Sequence, residues 1–154
     1  MTDETRLVLS PAELGIEPAE HKALLEIRER LAGGNFYHDW QGHAEKANGF
    51  NMEYPERETD CGTTCCIGGW MWVAMDRDRT TDSCTAGRYV ARDRSHALGP
   101  LFYPPQSEID DMPYSDITPL AAVSAIDSFL ATGRPDWFKA CGLDQVEVTD
   151  DVAA

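Results

Sequence analysis

Three of the five cysteines, Cys61, Cys65 and Cys66, stand just ahead of the apolar run Ile67-Gly68-Gly69-Trp70-Met71-Trp72-Val73-Ala74-Met75. A thiol at the start of a helix has its thiolate stabilised by free backbone N–H groups and by the helix dipole, which makes it a better nucleophile. Cys65 and Cys66 are therefore the candidate nucleophiles. No histidine lies beside them in sequence, so His38, His43 and His96 qualify as a partner base only by elimination. The competing role is structural, because a buried cysteine packs as a small hydrophobe. The same sulfurs offer a second chemistry. Four residues separate Cys61 from Cys66, and four separate His38 from His43; tetrahedral zinc takes four ligands of these types, usually in two close pairs. Against zinc, the chain has no Cys-x-x-Cys pair, and aromatic residues interleave the candidate ligands as they do in a core.

Charge supplies two further candidates. Arg88 and Arg92 are four apart, on one face of a short helix expected over 86–92, within a stretch that also holds Arg77, Arg79 and Arg94. They form an anion or nucleotide site, or else they pair with Asp76, Asp78, Asp82 and Asp93. Glu108, Asp110, Asp111 and Asp116 form an acidic run with no basic neighbour in sequence. The formal net charge is −14, and it is uneven. Residues 1–60 hold 13 acidic and 6 basic side chains, residues 61–99 hold 4 and 5, and residues 100–154 hold 10 and 2. Such a field keeps a protein in solution and repels nucleic acid, so direct nucleic-acid binding is not expected. It is either a solvated surface or a face that competes for a basic, nucleic-acid-binding one. Composition leaves both open.

These groups need elements to hold them. At 154 residues the chain fits one domain with a real core. Ser10-Pro11-Ala12-Glu13 has the form of a capping box, and Gly15 stops its turn. A longer amphipathic helix is expected from Pro18 to Ala32, with Leu24, Ile27 or Arg28, and Leu31 on one stripe and Gly33-Gly34 at its end. Phe36, Tyr37, Trp40, Phe50 and Tyr54 follow no sustained period; turns, a short strand at Phe50–Met52 and aromatic anchoring on the core are expected there. The central helix spans about 64–75, capped by Thr63 or Thr64. Adjacent Gly68 and Gly69 cost about 1 kcal/mol each in a helix, which implies another backbone packed close by. Gly99 to Pro105 reads as largely non-helical, because its prolines restrict the backbone. Thr118-Pro119 opens a helix with Leu120, Val123, Ile126 or Asp127, and Leu130 as its buried stripe, ended by Gly133. Trp137-Phe138 then folds back over the core, and 143–154 is an acidic, flexible tail. The resulting fold class is α+β, predominantly helical, in one small domain over 1–142.

Two blocks resemble a known set of proteins. Cys61-Gly62-Thr63-Thr64-Cys65-Cys66-Ile67-Gly68-Gly69-Trp70 is similar to the Cys-Gly-Thr-x-x-Cys-Ile-x-Gly-Trp block of small uncharacterised bacterial and phage proteins. Leu101-Phe102-Tyr103-Pro104, Ile117-Thr118-Pro119 and Gly133-Arg134-Pro135-Asp136-Trp137 look like their second half. The chain departs from them in placing Cys65 beside Cys66 and in having Gly68 where alanine is usual. The resemblance implies a phage or mobile-element accessory protein and transfers no catalytic residue. The cysteine block also resembles, more weakly, that of papain-like proteases, with different spacing.

The expected function is therefore non-enzymatic binding of a host protein or complex with a basic surface, as an anti-defence inhibitor or regulator that mimics nucleic acid. Its candidate contacts are Glu108, Asp110, Asp111 and Asp116. The alternatives are a cysteine-centred enzyme or zinc protein, and a binder of a small anion through Arg88 and Arg92. No run of about 18 apolar residues forms a membrane span, and the N-terminus lacks a signal peptide's basic start and apolar run, so a cytoplasmic location in a bacterial host is expected. An odd cysteine count in such a compartment favours free thiols.

Overall fold

The protein was analysed as a computed structural model, which describes residues 8–54, 56–75, 89–90 and 97–143. The Ser10 hydroxyl accepts from the Glu13 amide, and the Glu13 carboxylate accepts from the Ser10 amide, so the capping box closes over α1 (Pro11–Leu14). Gly15 ends that turn at φ +76°. A second box, between Glu17 and Glu20, starts α2 (Pro18–Ala32). Helix α2 buries Ala23, Leu24, Ile27 and Leu31 on one stripe, as its spacing predicts. The left-handed residue at its end is Gly34, at φ +78°, while Gly33 keeps a negative φ.

Four short strands follow: β1 (Tyr37–His38), β2 (Gly49–Phe50), β3 (Arg57–Glu58) and β4 (Thr63–Cys65). They form one sheet in the order β1-β2-β4-β3, parallel except for the β3–β4 pair. The expected strand at Phe50–Met52 is met only in part: β2 starts one residue earlier and ends at Phe50. Thr63 and Thr64 do not cap a helix. They are strand residues, and the central helix α3 runs over Ile67–Met75 instead of starting near residue 64. Pairing explains the difference: β4 lies between β2 and β3, and this pairing satisfies the backbone up to Cys65.

Helix α3 buries Ile67, Gly68, Gly69, Trp70, Met71 and Trp72. A Cβ on Gly68 would stand 2.7 Å from Val90 Cγ2 and 3.1 Å from the Phe102 ring. The close neighbours of Gly68 are therefore side chains, where a backbone was expected. Gly99 to Phe102 is helical (α4), correcting the non-helical expectation, because Pro100 falls in the first turn where no amide is needed. After a 3-10 turn at Tyr114–Asp116, Thr118 accepts from the Ala121 amide and opens α5 (Pro119–Thr132). Its buried stripe is Ala121, Ala122, Ala125, Ile126, Phe129 and Leu130, whereas Leu120 is 70% exposed and Val123 half-buried. Ile126 and Leu130 are buried as expected, while Ala121, Ala122, Ala125 and Phe129 complete the stripe in place of Leu120 and Val123.

Arg28 on α2 grips Asp127 on α5 with two hydrogen bonds, of 2.8 and 3.0 Å. Helix α6 (Trp137–Ala140), capped by Asp136, inserts Trp137 into the core, where its indole N–H donates to the Pro100 carbonyl at 2.9 Å. The buried side chains from Leu14 to Trp137 form one hydrophobic cluster. The fold is α+β and predominantly helical. Of the expected tail, 144–154 lies outside the described residues.

Candidate functional site

Cys66 is fully enclosed at the start of α3, its sulfur accepting from the amides of Gly68 and Gly69 and its carbonyl from the Trp70 amide. Burial dominates those hydrogen bonds and pushes the thiol up to about 11. The Cys65 thiol goes higher still, raised by burial and then by the neighbouring Cys66, Glu56 and Glu58. The amides at the helix start still lower the Cys66 value, but burial outweighs them. The two candidate nucleophiles are thus held as thiols at neutral pH. Cys61 is exposed and Cys141 half-buried, both free; Cys84 lies outside the described residues.

The zinc candidates do not converge. Among the described residues, no three His, Cys, Asp or Glu side chains are grouped to hold a metal. His38 Nε2 donates to the Ser115 carbonyl at 2.8 Å, Cys66 caps α3, and Cys61 lies on the surface. His38 and His43 do line one shallow recess, with His43 Nδ1 3.6 Å from a Glu45 carboxylate oxygen. Arg88, Arg92 and His96 lie outside the described residues.

The members of the acidic run have different surroundings. Asp110 and Asp111 are exposed in a left-handed turn, at φ +56° and +59°. Glu108 is half-buried and shares a cleft with Arg134 and Phe138, so it has a basic neighbour in space. Asp116 points elsewhere: it accepts the indole N–H of Trp40 at 2.9 Å.

Trp40 is the residue that pattern reading misplaced. Expected as an anchor on the core, it is 59% exposed. Its position is nevertheless fixed. Its ring stacks on His38, with centroids 5.0 Å apart and planes 23° from parallel, and its N–H is committed to Asp116. Beneath it, Asp39 organises the turn. The buried Asp39 carboxylate accepts from Thr64 Oγ1 at 2.5 Å, from the Ala44 amide at 2.8 Å and from the His43 amide at 3.2 Å. Burial raises its pKa, but these hydrogen bonds together outweigh that and hold it below the usual carboxylate value. Asn51, also buried, donates to the carbonyls of Asp39 and Trp40 and accepts from the Glu53 amide. The available sequence signal was the setting of Trp40 between Asp39 and Gln41, with Gly42 following, which marks a turn rather than a core segment.

A second concavity lies between β3, β4 and α3. It is an open cleft of about 490 Å³ lined by Glu56, Glu58, Thr63, Cys65, Trp70 and Trp72, with Asn48 at one side. Among the described residues, no helix is long and apolar enough to cross a membrane. The chain matches no protein-family model, and no curated protein or solved structure matches it.

Proposed function

We propose that the chain is a non-catalytic binding protein that engages a basic protein surface through the face carrying Trp40 and Asp116. What carries this reading is an aromatic ring that is both exposed and immobilised. Tryptophan is enriched among the residues that dominate binding energy, and a ring already fixed loses little entropy on contact. With its N–H taken by Asp116 and one face on His38, Trp40 offers a partner its remaining π-surface. That surface suits an arginine, whose guanidinium stacks on indole while neighbouring carboxylates neutralise it. Asp116 and Glu45 supply nearby negative charge, and the net charge of −14 favours approach of a basic partner. Asp110 and Asp111 contribute to that long-range field rather than to the contact.

The partner class is a host protein or complex whose basic surface normally serves nucleic acid, and the role is that of a phage or mobile-element inhibitor or regulator. That part of the proposal rests on the two sequence blocks that resemble such proteins. Capture from a bacterial lysate tests the whole. The wild-type chain should retain a basic protein that Trp40→Ala fails to retain, with both forms equally folded by circular dichroism. Retention of the same protein by Trp40→Ala would contradict the assignment of this face.

A further inference from the structure

The β3–β4 register places Arg57 opposite Thr64 and Glu58 opposite Thr63. Successive side chains of a strand alternate between faces, so Glu56, Glu58, Thr63 and Cys65 share one face. Helix α3 faces them with Trp70 and Trp72, and the space between is the cleft of about 490 Å³. That size falls within the roughly 300–1,000 Å³ usual for small-molecule sites.

The charge in this cleft has one sign. Glu56 and Glu58 are exposed, and neither forms an ion pair among the described residues. No described lysine or arginine lines the cleft. Their negative field reaches the floor, since both carboxylates help to raise the Cys65 thiol. Arg30 stands beside the cleft without lining it: it donates to Asn48 Oδ1 at 3.1 Å and lies over Phe36, with its guanidinium 5.8 Å from the Trp70 ring. One cation thus already uses a tryptophan of this wall.

A metal ion is a poor occupant, because hard cations need several converging oxygens and no such group of three exists among the described residues. Glu58 lies in β3 and Glu56 just before it, and extended backbone separates α-carbons two residues apart by about 6.6 Å. That spacing suits two cationic ends joined by a short apolar chain. We propose that this cleft binds a small organic dication of the alkyl-diamine class, with its ammonium ends on Glu56 and Glu58 and its methylenes against Trp70 and Trp72. The site is separate from the Trp40 face and does not depend on it.

Tryptophan fluorescence and calorimetry with 1,4-diaminobutane, at constant ionic strength, test this. Saturable binding is expected, about two- to fivefold weaker for butylamine and lost for 1,4-butanediol, since one ammonium–carboxylate contact at an exposed site is worth at most about a factor of five. Glu56→Gln with Glu58→Gln should weaken diamine binding by about fivefold or more, because both exposed contacts are lost together. Asp110→Asn with Asp111→Asn, and separately Trp40→Ala, should leave it unchanged. The proposal is overturned by any of three results: no saturation at millimolar diamine, undiminished binding by the double glutamine variant, or an equal loss in the Asp110/Asp111 variant. The last would mean counter-ion attraction to an acidic chain.

Discussion

Asp39 and Cys66 are buried residues whose hydrogen bonds decide what each can do. Asp39 keeps a charge inside the protein because three donors meet it, and in doing so it fixes the turn that presents Trp40. Asp39→Asn places an amide against those donors and should cost about 1–3 kcal/mol at neutral pH, the usual cost of leaving a buried polar group badly matched. The pH dependence has a definite sign. A folded-state pKa below the ordinary value gives stability that is complete above about pH 4 and is lost as pH falls through the folded value. Denaturant melts should therefore show the gap between wild type and Asp39→Asn shrinking in acid, and a constant gap would contradict the charged role. For the cysteines, burial outweighs the helix start. Alkylation of the native protein at neutral pH, mapped by mass spectrometry, should label Cys61 and spare Cys65 and Cys66 until the protein is unfolded. Rapid native labelling of either would restore the nucleophile reading.

Among the elements, those defined by local chemistry were legible in the sequence. Ser10 with Glu13, Pro18 to Ala32, and Thr118 to Gly133 are set by caps, prolines and glycines that act within a few residues, and each stands where its pattern places it. What sequence pattern missed depends on distant partners. Strands β1, β3 and β4, of two or three residues, carry no period of their own and exist because β1 finds β2 and β4 finds β2 and β3. The inward face of α5 follows from what it packs against, so alanines displaced Leu120 and Val123. The candidate site was the least legible part. Trp40 and Asp116 are 76 positions apart, and no spacing rule joins them. Gly62, inside the cysteine block, illustrates the same dependence on distant contacts. A Cβ there would overlap the backbone of Lys46, whose carbonyl accepts from the Thr63 amide at 3.1 Å. Gly62→Ala should lower stability by about 1–3 kcal/mol through overpacking against a backbone that cannot turn aside. An unchanged thermal midpoint would mean that the loop carrying Lys46 moves freely.

At the scale of the whole molecule, charge and the exposed ring make separable contributions. The field of a −14 chain acts at a distance, is screened over about 8–10 Å at physiological salt, and governs association rate more than final affinity. Reversing Glu108, Asp110 and Asp111 to lysine should therefore slow association while leaving dissociation nearly unchanged; a pure change in dissociation would mean that the run touches the partner. Trp40 acts only at contact, so its removal should appear in dissociation and persist at high salt. The most direct measurement is the dissociation constant of the captured basic partner for wild type and Trp40→Ala across a salt series. The predicted result is a loss of about tenfold or more for Trp40→Ala at every salt concentration, on a background of affinity that falls with salt for both. Equal affinity of the two proteins throughout the series would contradict the claim that this face is where the chain binds.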